Sequence, residues 1–304
     1  MSEDLRQKIE SLKKRHGAIV LAHNYEPAEI QDIADITGDS LGLSIEAARL
    51  EAPVIVFCGV SFMAESAAIL APDKKVILPR LNCGCGLADM ATAAALREKR
   101  QRHPEAAVIT YVNSSAAVKA ESDICCTSGN AVNVVNSIPA DREIIFVPDR
   151  NLGTFVEQRT GRKLLKWDGF CPVHEQLAPE AVRKARKAHP EAKVIVHPEC
   201  RPEVTELADA VLSTGGMFDY AKQSPAREFI IGTEEGMLHP LRRACPEKTF
   251  YPVAAGRMIC KDMKMISLAD LARALENLEP VITVDETVAG RARRALERML
   301  EIPR

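Results

Sequence analysis

The chain has 304 residues, 46% of them hydrophobic and 27% charged, with a net charge of −2. That length accommodates two or three small domains around a large buried core, and the balanced charge excludes the basic field of a nucleic-acid or anionic-membrane binder. The stretch 1–17 is charged and helix-periodic (Leu5, Ile9, Leu12), without the apolar run of an export signal. No segment is long and apolar enough to span a bilayer, so a cytoplasmic protein is expected. Nine cysteines, an odd number with no Cys-x-x-Cys, read as reduced thiols rather than a disulfide framework.

A helical pattern over 3–15 leads into the apolar strand Ala18–Ala22. Next come a helix-rich stretch at 27–35, the turn Gly38-Asp39-Ser40, a helix near 41–50, the strand Val54–Cys58 and a short strand near 75–78. The order then recurs. A helix at 88–102 precedes Ala107–Tyr111, and 115–121 leads to the turn Thr127-Ser128-Gly129. A helix at 130–137, the strand Ile144–Val147 and a short strand near 163–166 complete the second pass. The third has helix 178–188, strand Lys193–Val196, helical 202–208, turn Ser213-Thr214-Gly215, helix 216–223, and strands Phe229–Ile231 and 249–253. Helical patterns at 267–278 and 285–300 contain no fourth copy and are expected to pack back on the first unit. Continuous apolar strands alternating with helices indicate parallel sheets covered on both faces. The expected fold is α/β, with three homologous small α/β/α domains related by pseudo-threefold symmetry around a central cavity. Their expected boundaries are 1–86 plus 264–304, 87–173 and 174–263.

Polar residues keep the same phase as this repeat. Cys85, Cys171 and Cys260 are 86 and 89 residues apart. His23, Tyr111 and His197 are 88 and 86 apart, as are Tyr25, Asn113 and Glu199, and Ser40, Ser128 and Thr214. The text His-Pro-Glu-Ala occurs at 103–106 and again at 189–192. A single cysteine is usually a buried structural thiol, but three in phase suit an inorganic centre. Either one zinc with an open position or a [4Fe–4S] cluster with one uncapped iron fits three cysteines. Cys83, two residues from Cys85, competes for the same role. Cys58, Cys200 and Cys245 have no phase, and Cys125 and Cys126 read as packed.

Parallel sheets present ligands at the carboxyl ends of their strands, where His23, Tyr25, Tyr111, Asn113, His197 and Glu199 fall. These residues supply acid–base capacity, with Glu199 suited to a base; His174 and Glu175 read as supporting groups near Cys171. A hydroxyl at Ser40, Ser128 or Thr214 caps a helix start, and the same bare N–H groups bind carboxylate or phosphate. Three such starts on one cavity favour a small ligand with several negative groups. No Walker A or Gly-x-Gly-x-x-Gly points to a nucleotide.

Longer stretches carry a family likeness. They include Ala22-His23-Asn24-Tyr25, Gly38-Asp39-Ser40-Leu41, Cys85-Gly86-Leu87-Ala88-Asp89-Met90, Tyr111-Val112-Asn113-Ser114, Pro148-Asp149-Arg150-Asn151-Leu152-Gly153, Trp167-Asp168-Gly169-Phe170-Cys171-Pro172-Val173-His174, His197-Pro198-Glu199-Cys200, Ser213-Thr214-Gly215-Gly216-Met217 and Met263-Lys264-Met265. With these in order along the whole chain, the sequence resembles the quinolinate synthase family of NAD biosynthesis. The resemblance implies an oxygen-sensitive [4Fe–4S] cluster held by Cys85, Cys171 and Cys260, its fourth iron open as a Lewis acid. It favours Cys85 over Cys83, since the family's cysteine stands just ahead of Ala-Asp-Met. It implies a transferase that condenses iminoaspartate with dihydroxyacetone phosphate, losing phosphate and two waters. His23, Ser40, Tyr111, Asn113, Ser128, His197, Glu199 and Thr214 would bind the substrates. Tyr25 and Glu199 would move protons, with Tyr111, His23 and His197 beside them. An L-aspartate oxidase would be the functional partner supplying iminoaspartate. The alternative from the residues alone is an iron–sulfur hydro-lyase acting on a small di- or tricarboxylate. Some relatives carry Cys-x-x-Cys-x-x-Cys near the third ligand; here Cys260 is followed by Lys261-Asp262, and no disulfide switch is implied there.

Overall fold

The structure, a computed structural model, describes residues 2–303. It is α/β, with three four-stranded sheets whose strands are all parallel. The first holds β1 (Ala18–His23), β2 (Ile36–Gly38), β3 (Val54–Cys58) and β4 (Lys75–Ile77). The second holds β5 (Ala107–Tyr111), β6 (Ile124–Cys126), β7 (Ile144–Val147) and β8 (Leu165–Lys166). The third holds β9 (Lys193–Val196), β10 (Ala210–Val211), β11 (Glu228–Gly232) and β12 (Thr249–Pro252). Their orders are β2-β1-β3-β4, β6-β5-β7-β8 and β10-β9-β11-β12, one pattern three times. Every residue of β3, β5 and β7 is buried, as continuous apolar runs between two helical layers require.

The sequence pattern does not disclose β2, β6 or β10, which have only two or three residues and lie at sheet edges. They truncate the expected helices, which run Ala28–Ile33, Ala116–Lys119 and Pro202–Thr205. An aspartate anchors each edge. Asp35, Asp123 and Asp209 accept the N–H of Val20, Val108 and Val194 at 2.8–2.9 Å. Each aspartate also returns its own N–H to the same residue's carbonyl. A basic residue of the preceding helix pairs with each: Lys13 at 2.8 Å, Arg100 at 2.9 Å and Arg186 at 3.1 Å. The repeat is therefore one of contacts as well as spacing.

The C-terminal stretch touches two sheets. Helix Leu268–Asn277 packs on helix Ser2–His16 and on β3, and Val281 bridges Ile77. Helix Glu286–Leu300 packs on Ser61–Leu70 of the first unit, and on Ala116–Lys119 and β6 of the second. Asn130 Nδ2 donates to the Met299 and Ile302 carbonyls, at 3.2 and 3.0 Å, fixing its end. Among the described residues no helix is long and apolar enough to cross a membrane.

Candidate active site and metal centre

The loops after β1, β5 and β9 meet at the carboxyl ends of the three sheets. There His23, Tyr25, Ser40, Tyr111, Asn113, Ser128, His197, Glu199 and Thr214 all line one cavity of about 50 Å³. An adjoining cavity of about 320 Å³ is lined by Cys85, Cys171 and Cys260. Tyr25, Phe62, Asn113, Glu199 and Met263 border both. Cys83 is sealed in the core, and Cys58, Cys125, Cys126, Cys200 and Cys245 are buried away from it.

The helix starts differ from expectation. Ser40 and Thr214 are the first residues of helices Ser40–Arg49 and Thr214–Gln223, and the caps are Asp39 and Ser213. Asp39 accepts the Gly42 N–H at 2.8 Å and Ser213 that of Gly216 at 3.2 Å. With capping done one residue earlier, the Ser40 and Thr214 hydroxyls are released from that role on the cavity wall; Thr214 Oγ1 accepts from Asn24 Nδ2 at 3.3 Å and keeps its own proton to donate. Ser128 precedes the short helix Ala131–Asn136, in a turn closed by Asn130 Oδ1 accepting the Thr127 N–H at 2.8 Å.

The three cysteines share a local conformation. Each precedes a short helical turn: Ala88–Met90, Pro172–Glu175 or Asp262–Lys264. Backbone N–H groups of Leu87 and Ala88 reach the Cys85 sulfur, that of His174 reaches Cys171, and those of Asp262 and Met263 reach Cys260. Burial pushes the Cys85 thiol up to about 12, and also raises Cys171 and Cys260, against the pull of those N–H groups. Amides already aimed at sulfur, in a site where a bare thiolate is penalised, fit a cationic occupant. Asp149 accepts the Cys171 N–H at 3.2 Å and Glu234 that of Cys260 at 3.1 Å. These two carboxylates follow β7 and β11 at matching places and fix two of the three cysteines from behind. The sequence reading did not single them out, although Asp149 and Glu234, 85 residues apart, keep close to the phase of the repeat.

A buried polar line connects the two cavities. Tyr25 OH lies 2.5 Å from Thr233 Oγ1, which is 2.8 Å from His174 Nε2. His174 Nδ1 lies 2.8 Å from Glu199 Oε2 and 3.2 Å from Cys171 Sγ. The ligand atoms of Cys171, His174 and Glu199 lie within 4.8 Å of one another, a grouping that could hold a metal ion. His197 stacks on His174 at 4.8 Å between ring centroids, and its Nε2 lies 3.2 Å from Ser128 Oγ. His174, given only a supporting place by sequence, stands at the centre of this line; Thr233 was not singled out at all.

Electrostatics sort these groups. Burial, reinforced by Lys264 and His197, lowers His23 to about 3, so its ring is neutral. Its Nδ1 accepts the Tyr25 N–H at 3.2 Å, which leaves the proton on Nε2. Burial also lowers His197. Burial raises Tyr25 and Tyr111 well above the usual phenol range, with Glu199 adding to it. Burial alone would raise Glu199, but His197 and His174 together hold it well below the usual carboxylate range. The site thus combines one carboxylate base with neutral imidazole and phenol donors. It can bind anionic groups, polarise carbonyl oxygens and move protons beside a metal centre.

The sequence profile of the family described as Quinolinate synthetase A protein matches residues 7–301. The chain is 56% identical over 302 residues to the quinolinate synthase of Geobacter sp. (strain M21), covering 99% of each. It is 55% identical over 302 residues to that of Geotalea uraniireducens (strain Rf4), again covering 99% of each. Over 299 residues it is 55% identical to that of Methanosarcina barkeri (strain Fusaro / DSM 804), covering 98% of each.

Proposed function

Because the chain belongs to the quinolinate synthase family, we propose that it condenses iminoaspartate with dihydroxyacetone phosphate to quinolinate in NAD biosynthesis, releasing phosphate and two waters. The observation that carries this reading is the pairing of cavities. Polar residues of all three units face one, and three cysteines with amide-supported sulfurs face the other. Cys85, Cys171 and Cys260 would hold a [4Fe–4S] cluster, whose uncapped iron supplies a Lewis acid for the dehydrations. Ser40, Ser128 and Thr214, with the N–H groups around them, bind carboxylate and phosphate oxygens. Neutral His23 donates from Nε2, and Asn113 and His197 add donors. Glu199 accepts a proton, while Tyr25 and Tyr111, kept as phenols by burial, donate or relay one. The division into 1–86 plus 264–304, 87–173 and 174–263 follows the repeat, and a cytoplasmic aspartate-oxidising enzyme would supply the unstable imine.

Iron and acid-labile sulfide are measured on anaerobically purified protein, followed by quinolinate formation from the two substrates. About four iron and four sulfide per chain are expected. Cys260→Ala should lose cluster and activity together. Full activity without iron, or no consumption of dihydroxyacetone phosphate by iron-loaded protein, overturns the proposal; the latter result favours a hydro-lyase. Zinc alone after strict anaerobic handling and attempted reconstitution would point instead to a single ion, for which Cys171, His174 and Glu199 already form a grouping.

A further inference from the structure

Lys119 ends the short helix Ala116–Lys119, and its side chain is fully buried. Its amine donates to the Ser114 carbonyl at 2.6 Å and, across to the first unit, to the Phe62 carbonyl at 3.4 Å. It lies 5.2 Å from the centre of the Phe62 ring, which borders both cavities. Among the described residues it forms no ion pair; both its hydrogen bonds go to carbonyls. Burial lowers its pKa to about 8, while Cys125, Glu65 and Cys85, the titratable groups that face it, pull the other way. The group is therefore an ammonium at neutral pH, and a buried charge without a counter-charge is costly.

The fold itself does not ask for a charge here. Gln31 stands at the same phase in the first unit, 88 residues earlier. Its Nε2 donates to the Glu26 carbonyl at 2.8 Å and, across to the third unit, to the Gly236 carbonyl at 3.2 Å. The acceptors correspond as well: Glu26 and Ser114 are 88 residues apart, and Phe62 and Gly236 are two repeats apart. A neutral amide thus ties the same turn to the same place on its neighbour. Thr205, 86 residues after Lys119 in the third unit, is neutral too. What the second unit adds is charge, behind a wall that the cysteine cavity shares.

We propose that Lys119 is a fixed counter-charge for the group that Cys85, Cys171 and Cys260 hold: its ammonium favours loading of that group and raises its reduction potential. Three thiolates around a doubly positive core leave the loaded site negative, and a one-electron reduction makes it more so. A positive charge held close by in a buried setting favours both changes. The redox arm of this inference rests on the [4Fe–4S] reading above.

Two variants and two readouts test it. Lys119→Met keeps the stem and removes the charge, while Lys119→Arg keeps the charge. On reconstituted protein, the potential is read by dithionite titration with detection of the reduced state by electron paramagnetic resonance. Lys119→Met should lower the reduction equilibrium constant about tenfold, a shift of about 59 mV to more negative potential for one electron. Lys119→Arg should stay within about threefold of wild type. Equal shifts in both variants would assign the effect to packing and overturn the proposal, as would a wild-type potential in Lys119→Met. The second readout uses wild type alone. By reciprocity, loading the site must raise the pKa of Lys119, followed through its side-chain 15N resonance with and without the bound group. An unmoved Lys119 overturns the inference even if Lys119→Met fails to fold. If wild type takes up only zinc, the cluster reading fails while zinc affinity still decides the role of Lys119: about tenfold weaker binding in Lys119→Met supports it, and equal binding ends it.

Discussion

His23 shows how burial, with Lys264 and His197 nearby, sets a charge state. Its ring titrates near 3 in the fold and near 6.5 when exposed in the unfolded chain. Between those values the unfolded state binds a proton that the folded state does not. Stability from this group is therefore full above about 6.5 and falls as pH drops toward 3, by about 1.4 kcal/mol per unit. Melting temperatures of wild type and His23→Asn between pH 7 and pH 4 check this. The variant should lose less stability on acidification; parallel curves would show that His23 is not the responsible group. The same residue was legible in the sequence because Tyr111 and His197 recur at its phase. Thr233 was not legible, because a group that occurs in one unit only has no phase to reveal it. Cys83 and Cys85 could not be separated by residue spacing, only by the family likeness; packing distinguishes them, sealing one and leaving the other on the cavity wall.

The long strands were readable from apolar periodicity and fall where the pattern puts them, whereas the helices Ser61–Leu70, Arg150–Thr160 and Leu238–Ala244 between strands were not located. The edge strands β2, β6 and β10 were not readable either, since two or three residues hold no period and their stability comes from the aspartate clasps. Connections between units follow the same logic, and two glycines contrast them. A Cβ on Gly236 would stand 2.7 Å from Glu234 Oε2, 2.7 Å from the Tyr25 carbonyl oxygen and 2.8 Å from Lys264 Nζ. Lys264 donates to both that carbonyl and Glu234, the carboxylate that holds Cys260. Gly236→Ala should therefore prise apart this knot, lower the melting temperature by several degrees, and speed iron loss to a chelator. Gly290, inside helix Glu286–Leu300, would have nothing within 4 Å of a Cβ. Gly290→Ala should raise stability by about 0.5–1 kcal/mol with no change in iron retention. Similar thermal and chelation behaviour in the two variants would contradict this account.

Across the whole molecule the apolar core is divided unevenly. Residues of the first and second units and both C-terminal helices form one continuous buried cluster, from Ile9 through Phe146 to Met299. The third unit keeps two clusters of its own on either side of its sheet, around Val194 and Ile230 and around Phe229 and Phe250. Polar contacts carry much of its link to the first unit: Lys264 with Glu234, Gln31 Nε2 donating to the Gly236 carbonyl at 3.2 Å, and Asp32 with His239 and Arg243 at 2.7 Å. The Asp32 pairs are exposed and contribute little, while Lys264–Glu234 is largely buried; lacking the continuous apolar packing of the first two units, this seam is weaker than the shared core. The polar cavity of about 50 Å³ lies where the three units meet, and the multiply charged substrates proposed for it would enter as a seam between units opens. The third unit supplies His197, Glu199, Thr214 and Cys260, and its seam is the place to yield. Native-state hydrogen exchange should show β9, β11 and β12 opening together at a lower free energy than β1, β3, β5 and β7. Asp32→Ala should lower the first value and leave the second unchanged. A single opening free energy for all three sheets would mean that the seam is as strong as the core, and that access comes from the loops around Ser40 and Ser128 instead.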